Sequence, residues 1–243
     1  MLEAIRPLAW DSEFLGFLVG RMHGTQVARQ ELEQLLAVAR QQGYRLLYYS
    51  VAPDDDESAA SASALGLLLA DRKATFVQDI DCEIDTLFPP AIEPVSTIST
   101  DVVALALQSG AFSRFRRDPS FAAGTYERLY TRWIEQSVAG ERAREVLVYR
   151  QADAVCGLIT LSPLTAASAP NSCVSIDLLA VDAKVRRQSI GTQLLVAARQ
   201  RAQVWGYGRL HVVTQLDNEA ACRFYEYEGF HLEQVEHVYH VWM

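Results

Sequence analysis

A layered α/β fold, a central mixed β-sheet flanked by helices and preceded by a smaller N-terminal α/β domain, is predicted from three observations. Strand-like runs alternate with segments whose apolar residues recur at the helical period along most of the chain. A basic turn, Lys184-Val185-Arg186-Arg187-Gln188-Ser189-Ile190-Gly191-Thr192, joins a strand directly to an apolar helix. A proline cluster, Phe88-Pro89-Pro90-Ala91-Ile92-Glu93-Pro94, divides the 243 residues into a short first domain, 1–90, and a longer second one, 91–243.

In the first domain, Leu8-Ala9-Trp10-Asp11-Ser12-Glu13-Phe14-Leu15-Gly16-Phe17 reads as an irregular aromatic segment, followed by a strand over Leu18–His23. Leu32, Leu35, Leu36 and Ala39 give the stripe of a core-facing helix over Glu31–Gln42, with Gly43 as its C-cap. Arg45–Val51 reads as a buried strand. The acidic run Asp54-Asp55-Asp56-Glu57-Ser58 is suited to start a helix that runs to about Leu65. Its carboxylates lack the spacing of a calcium loop, so no metal is expected. Lys73–Asp85 closes the domain as a strand.

The second domain opens with Ser99-Thr100-Asp101, good N-cap chemistry for a helix over Val102–Phe112. A loop mixing cations with aromatics, Phe112-Ser113-Arg114-Phe115-Arg116-Arg117-Asp118-Pro119, leads to a helix over Phe121–Ser137. Val146–Arg150, Val155–Leu161, Ser172–Asp182 and Leu210–Thr214 read as strands, Ile190–Trp205 and Asn218–Tyr227 as helices, and Phe230–Met243 as terminal strands. The residues show no internal repeat.

Half of the residues are hydrophobic and 21% charged, an ordinary globular balance. The net charge of −8 argues against a nucleic-acid or anionic-membrane binder, which needs a broad basic face. Lys184, Arg186 and Arg187 stand out against that acidic background. Cys82, Cys156, Cys173 and Cys222 are far apart, without metal-type pairing, and read as buried thiols. No secretory leader and no run of membrane-spanning length is seen, so a cytoplasmic setting is expected.

The basic turn carries the chemistry. A helix N-terminus exposes unpaired N–H groups and a partial positive charge, and a turn that wraps its amides inward forms a concave anion site. Arg186 and Arg187 add full charges suited to phosphate, Gly191 permits close backbone approach, and Thr192 or Ser189 can donate a hydroxyl. An ordinary solvated strand-to-helix connection is the competing reading, and the turn alone leaves the phosphate compound open. Arg114 and Arg116 can make forked contacts with a pyrophosphate, or simply lie in a solvated loop.

Arg186-Arg187-Gln188-Ser189-Ile190-Gly191, followed by Asn218-Glu219-Ala220-Ala221-Cys222-Arg223-Phe224-Tyr225-Glu226-Tyr227-Glu228-Gly229-Phe230, resembles the GCN5-related N-acetyltransferases. That family, the GNAT family, places a [Q/R]-x-x-G-x-[G/A] turn after its fourth strand. Arg186 and Gly191 match it, whereas Ser189 replaces the middle glycine. Ser175–Asp182 is similar to the family's fourth strand. Asn218–Phe230 resembles its N-x-x-A-x-x-[F/L]-Y-x-x-x-G-F signature, and the resemblance covers about Pro94–Met243. It implies a GNAT fold whose sheet is splayed between its fourth and fifth strands, and acetyl transfer from acetyl-CoA to an amine. It further implies backbone contacts from Leu179, Ala180 and Val181 to the pantetheine and acetyl groups. The pyrophosphate would lie on Arg186, Arg187, Gln188, Ser189, Gly191 and Thr192, with Asn218 on the pantetheine arm and Tyr225 as proton donor. No dedicated base is assigned. Asp177 lies on the strand where some members of the family carry an acidic residue, but reads as a surface or fold-supporting aspartate. His211, His231, His237 and His240, in or near strand-like runs, read as core or edge histidines rather than bases.

Patches at Leu8-Ala9-Trp10, Phe14-Leu15-Gly16, Ser113–Arg116, Tyr130–Glu135 and Val213–Asn218 are similar to members of the family that acetylate dTDP-linked amino sugars. The resemblance therefore implies a small-molecule acceptor, a dTDP-amino sugar held by Arg114 and Arg116. A protein N-terminus or another small amine is the alternative acceptor, and a noncatalytic acyl-CoA-binding module the alternative class. Exposed strand edges are compatible with a homodimer.

Overall fold

Strand and helix patterning of this kind must bury one face of each element, and contacts in space resolve the chain into two units that do so. The computed structural model describes residues 5–80, 87–164 and 172–243. Cys82 and the end of the strand expected to reach Asp85 lie outside the described residues. One unit gathers the described residues up to Ala74 with Gln215–Asp217 and Gln234–Met243; the other gathers Thr75–Thr214 and Asn218–Glu233. We propose the linear division 1–90 and 91–243 as the domain organisation of the polypeptide; the spatial units draw on discontinuous segments.

The first unit contains β1 (Arg6–Pro7), α1 (Ala9–Leu15), β2 (Leu18–His23), α2 (Arg29–Gln41), β3 (Tyr44–Val51), α3 (Asp56–Ala64) and the start of β4 (Leu68–Asp79). The end of β10 (His231–Trp242) completes it, in strand order β1-β2-β3-β10-β4. β2 and β3 are parallel, joined across α2, and β10 pairs antiparallel with β3 from His237↔Val51 to Trp242↔Leu46. Leu32, Leu36 and Ala39 of α2 are buried in one cluster with Met22, Leu47 and Tyr49, as their spacing predicts. Gly43 (φ 84°) supplies the left-handed residue that ends the helix. The aromatic segment expected to be irregular is helical instead. Its α1 is closed by Gly16 (φ 76°) and tied down by Ser12, whose hydroxyl donates to Leu8 O at 2.7 Å and accepts from Val19 N at 2.9 Å.

The second unit contains the end of β4, β5 (Ile92–Pro94), α4 (Thr100–Ser109), α5 (Arg114–Arg117), α6 (Thr125–Val138), β6 (Glu145–Gln151), β7 (Ala154–Pro163) and β8 (Cys173–Val181). A 3₁₀ turn at Ala183–Val185, α7 (Ile190–Val204), β9 (Arg209–Gln215), α8 (Glu219–Tyr227) and the start of β10 follow. The strand order is β4-β9-β8-β7-β6-β5. β5 to β8 pair antiparallel in sequence order, and β8 pairs parallel with β9 across α7. β5 falls within the proline cluster; as the edge strand it tolerates Pro94, which has no amide to donate. α4 and α7 both pack on β7 and β8. Gly157 of β7 makes room for α7, since a Cβ there would lie 2.9 Å from Ile190 and 3.0 Å from Leu194. The layered mixed α/β architecture expected from the sequence is thus the observed one.

Candidate functional site

The candidate site starts at an irregularity in β8. Ile159 faces Leu179 and Leu161 faces Ile176, so Asp177 and Leu178 both stand opposite Thr160. This is a β-bulge, which bends a strand and sharpens its twist. Thr160 Oγ1 accepts the Leu178 amide at 3.0 Å, which satisfies the amide displaced by the bulge. The pairing of β8 with β9 ends at Ile176↔Val212, whereas its pairing with β7 continues to Gly157↔Val181. Leu179, Ala180 and Val181 therefore run along a β8 edge beyond the last pair with β9. Peptide groups on such an edge need partners, and an extended ligand bearing amides can add there as a strand would. Val181's carbonyl is already engaged, accepting from Gln108 Nε2 at 2.6 Å and Arg186 Nε at 3.2 Å.

β8 leads through the 3₁₀ turn into exposed Arg186, Arg187, Gln188 and Ser189. Arg187 (φ 62°) and Ser189 (φ 57°) are both left-handed. Outside glycine that conformation costs about 1–2 kcal/mol per residue, and such strain clusters at functional sites. Ser189, which stands where the family signature has glycine, occupies a conformation that glycine adopts freely. It is the N-cap of α7 without a side-chain cap, so the first amides of a fifteen-residue helix are left for an anion. Lys184, Arg186 and Arg187 form no ion pair among the described residues.

Gly191 and Thr192 face α8. A Cβ on Gly191 would lie 2.9 Å from the Phe224 ring, so its missing side chain serves the packing of the two helices. Thr192 Oγ1 donates to Glu228 Oε1 at 2.5 Å rather than standing free for a phosphate. Glu228 also joins a polar cluster that sequence reasoning missed. Arg199 reaches its carbonyl at 2.8 Å and its Oε2 at 3.4 Å, and Gln78 accepts from Arg199 at 2.9 Å while donating to the same carbonyl at 2.8 Å. Glu228 lies inside the family-like signature, but Gln78 and Arg199 are remote in sequence and carry no motif.

Asn218 caps α8, its Oδ1 accepting the Ala221 amide at 3.3 Å. Tyr225 is the buried residue of α8, 5% exposed, ringed by Phe76, Phe224 and Phe230 at centroid distances of 6.0, 5.5 and 5.5 Å. Burial pushes its hydroxyl far above the usual tyrosine range, and nearby Cys222 adds to the effect. The hydroxyl has no hydrogen-bond partner among the described residues. A phenol that remains protonated and is not bonded to a protein acceptor can donate its proton to a developing anion.

Arg114 and Arg116 lie on the short helix α5, started by the Ser113 hydroxyl, rather than in a loop. Their guanidinium groups sit over the rings of Phe115 (4.9 Å) and Tyr126 (5.4 Å). Stacking occupies the guanidinium faces and directs hydrogen bonding to the edges. Tyr126 donates to the Leu107 carbonyl, next to Gln108, which holds Val181; this chain of contacts links α6 through α4 to the end of β8.

Asp177, at the bulge, accepts from the Ser162 hydroxyl and from Ser175 Oγ at 2.7 Å. Ser175 Oγ is also 3.5 Å from His211 Nδ1. Of the other histidines, His231, His237 and His240 lie on β10, His240 buried and 5.0 Å from the Tyr48 ring. Cys156, Cys173 and Cys222 form no disulfide among the described residues; Cys156 is buried as expected, whereas Cys173 and Cys222 are half-buried. Among the described residues no group of three or more His, Cys, Asp or Glu side chains gathers as a metal site, and no described helix is long and apolar enough to cross a membrane.

Residues 110–230 match the family model described as the acetyltransferase (GNAT) family. The chain is 27% identical over 233 residues to dTDP-fucosamine acetyltransferase of Escherichia coli O6:H1 (strain CFT073), covering 95% of this chain and 94% of that protein. It is 26% identical over 157 residues to spore coat polysaccharide biosynthesis protein SpsD of Bacillus subtilis strain 168, covering 63% of this chain but only about half, 52%, of that protein. The fold is shared with a functionally unknown conserved protein of Staphylococcus epidermidis, with a TM-score of 0.64 at 13% identity over 98% of this chain and 91% of that one.

Proposed function

Through residues 110–230 the chain belongs to the acetyltransferase (GNAT) family, whose members use acetyl-CoA, and from that premise we propose that it acetylates the amine of a nucleotide-linked amino sugar. The chain is accordingly an acetyl-CoA-dependent acyltransferase. The single observation that carries the site is the β8 edge, which leaves β9 at Ile176 and runs into the left-handed turn before α7. Donor amides suit that edge, and a pyrophosphate suits the uncapped, cationic helix N-terminus.

Acetyl-CoA supplies the acetyl group as a thioester whose sulfur must be protonated when it departs. Tyr225 is our proton donor: its ring is buried and its hydroxyl, held above the usual tyrosine range, gives its proton to that sulfur as the C–S bond breaks, while the proton shed by the newly acetylated nitrogen restores the phenol. Leu179 and Ala180 offer backbone groups to the pantetheine amides and the reacting carbonyl, and Val181 sets the end of the strand through Gln108. Arg186, Arg187, Gln188 and Ser189 hold the phosphates, while Gly191 and Thr192 keep α7 seated against α8. Asn218 fixes the start of α8 by capping it, and in this reading its side chain also serves the pantetheine arm.

The acceptor reading rests on likeness to the dTDP-fucosamine enzyme along nearly the full chain, together with Arg114 and Arg116 on their aromatic rings. Stacked guanidinium groups suit an acceptor that carries its own pyrophosphate. Incubation with acetyl-CoA and a panel of dTDP-linked amino sugars, read by mass spectrometry, tests it. An acetylated sugar nucleotide is expected from at least one member, and none from any member overturns the acceptor class.

A further inference from the structure

Residues 26–79 and 189–242, 163 positions apart, carry the same elements in the same places. α3 (Asp56–Ala64) corresponds to α8 (Glu219–Tyr227), and β4 (Leu68–Asp79) to β10 (His231–Trp242). α2 and α7 end at Gln41 and Val204, each before a parallel partner strand. The left-handed residues coincide: Gln26 (φ 51°) with Ser189 (57°), Gly43 (84°) with Gly206 (83°), and Gly66 (67°) with Gly229 (87°). So do the hydrogen bonds that close the helices. Gly43 N donates to Arg40 O as Gly206 N does to Gln203 O, and Leu67 N to Ala62 O as Phe230 N does to Tyr225 O. Leu32, Ala39, Tyr44 and Leu47 recur as Leu195, Ala202, Tyr207 and Leu210, all buried.

The two copies differ at the residues assigned to chemistry. Ala62 stands where the second copy has Tyr225, Ser61 where it has Phe224, Ala28 where it has Gly191, and His23 and Gly24 where it has Arg186 and Arg187. Asp55 stands at the position of Asn218 and caps α3 in the same way, accepting Ser58 N at 3.0 Å. Its other oxygen reaches further, accepting the Gln26 amide at 2.8 Å and the Ser58 hydroxyl at 2.7 Å, while Ser58 Oγ accepts the Val27 amide at 2.9 Å. Gln26 and Val27 are the counterparts of Ser189 and Ile190, whose amides open the anion site of the second copy. Asp55 and Ser58 are 7% and 0% exposed.

We infer that the chain is an internal duplication whose N-terminal copy keeps the anion-cradling backbone but closes it with its own Asp55 carboxylate, leaving one donor site per chain, in the C-terminal copy. The duplication and the closed cradle stand on geometry alone; the donor count rests on the reading that acetyl-CoA phosphates sit at the start of α7. Asp55 is the intramolecular counterpart of a bound anion, and Ala62 leaves that copy without a proton donor.

Removing the carboxylate tests the cradle. Full-length Asp55→Ala has a lowered Tm that sodium acetate raises at constant ionic strength, because free carboxylate re-enters the emptied cradle, whereas the wild-type Tm does not respond. A variant that does not fold unaided gives the same readout as refolding yield with and without acetate. A loss that acetate does not repair overturns the closed cradle. Calorimetric titration with coenzyme A tests the count: one equivalent per chain is expected in wild type, and none in Arg187→Glu. Two equivalents, or one that survives Arg187→Glu, overturns the single site. Acetate repair together with no coenzyme A binding by wild type leaves the cradle standing and rejects the donor reading instead.

Discussion

Tyr225 combines burial among three aromatic rings with a hydroxyl that no described residue engages. Tyr225→Phe removes only that hydroxyl, so acetyl-CoA affinity should hold while kcat falls by about 10²-fold or more. Equilibrium binding measured beside steady-state kinetics checks this, and unchanged kcat removes Tyr225 as the acid. Ser189 is a second residue-scale case. Glycine would relieve its left-handed strain but add unfolded-state freedom, so Ser189→Gly should be neutral to within about 1 kcal/mol. Ser189→Val, β-branched in the same conformation, should cost about 1–2 kcal/mol and raise the KM for acetyl-CoA. Thermal melts and donor titrations separate the two variants. Asp55 is the third. Burial alone would raise its pKa, but hydrogen bonds from the Ser58 amide and hydroxyl and the Gln26 amide outweigh that and hold it below the usual carboxylate range. Its contribution to stability is therefore complete above the ordinary carboxylate pKa and lost as pH falls from there through the lowered folded value. Denaturant midpoints in that acidic window should drop less for Asp55→Asn than for wild type.

At the scale of elements, helix stripes and helix ends were legible because they depend on local spacing. Leu32, Leu36 and Ala39 announced α2, Gly43 its end, and Asn218 the cap of α8. The bulge at Asp177–Leu178 was not legible, since it arises from the register of β8 against Thr160 and no local pattern encodes that. The aromatic segment Ala9–Leu15 lacks a side-chain N-cap, which hid α1, and Pro94 disguised the edge strand β5. Within the candidate site, the turn and Tyr225 were readable from motif spacing. Gln108, Gln78 and Arg199 were not, because their partners are far away in the chain. The Thr192–Glu228–Arg199 cluster joins the first turn of α7 to the end of α8. Glu228→Ala takes the carboxylate from the largely buried Arg199 guanidinium, which keeps the residue-228 carbonyl and Gln78 as acceptors, and should cost about 2 kcal/mol, below the 3–5 typical of a fully broken buried pair. Gly191→Ala forces the Phe224 ring to move beside Tyr225, so kcat/KM should fall several-fold even where Tm changes little. A structural role for glycine alone would lower Tm without that kinetic loss.

At the scale of the molecule, 163-residue periodicity escaped sequence inspection because few identities survive between the copies. What persists is backbone geometry, namely the left-handed positions and the helix-closing hydrogen bonds. The second copy carries the signature residues, and the segment containing Arg114 and Arg116 precedes it on α5. On the proposed function, donor chemistry belongs to residues 179–225 and acceptor choice to residues outside the duplicated pattern. The most direct measurement of that assignment is kcat/KM in one acetyl-CoA assay for a dTDP-linked amino sugar, the same amino sugar without its nucleotide, and a peptide with a free N-terminus. We expect the nucleotide-linked sugar to be preferred by at least about tenfold, the equivalent of about 1.4 kcal/mol of transition-state binding through its pyrophosphate. Equal or better turnover of the free sugar or the peptide contradicts it.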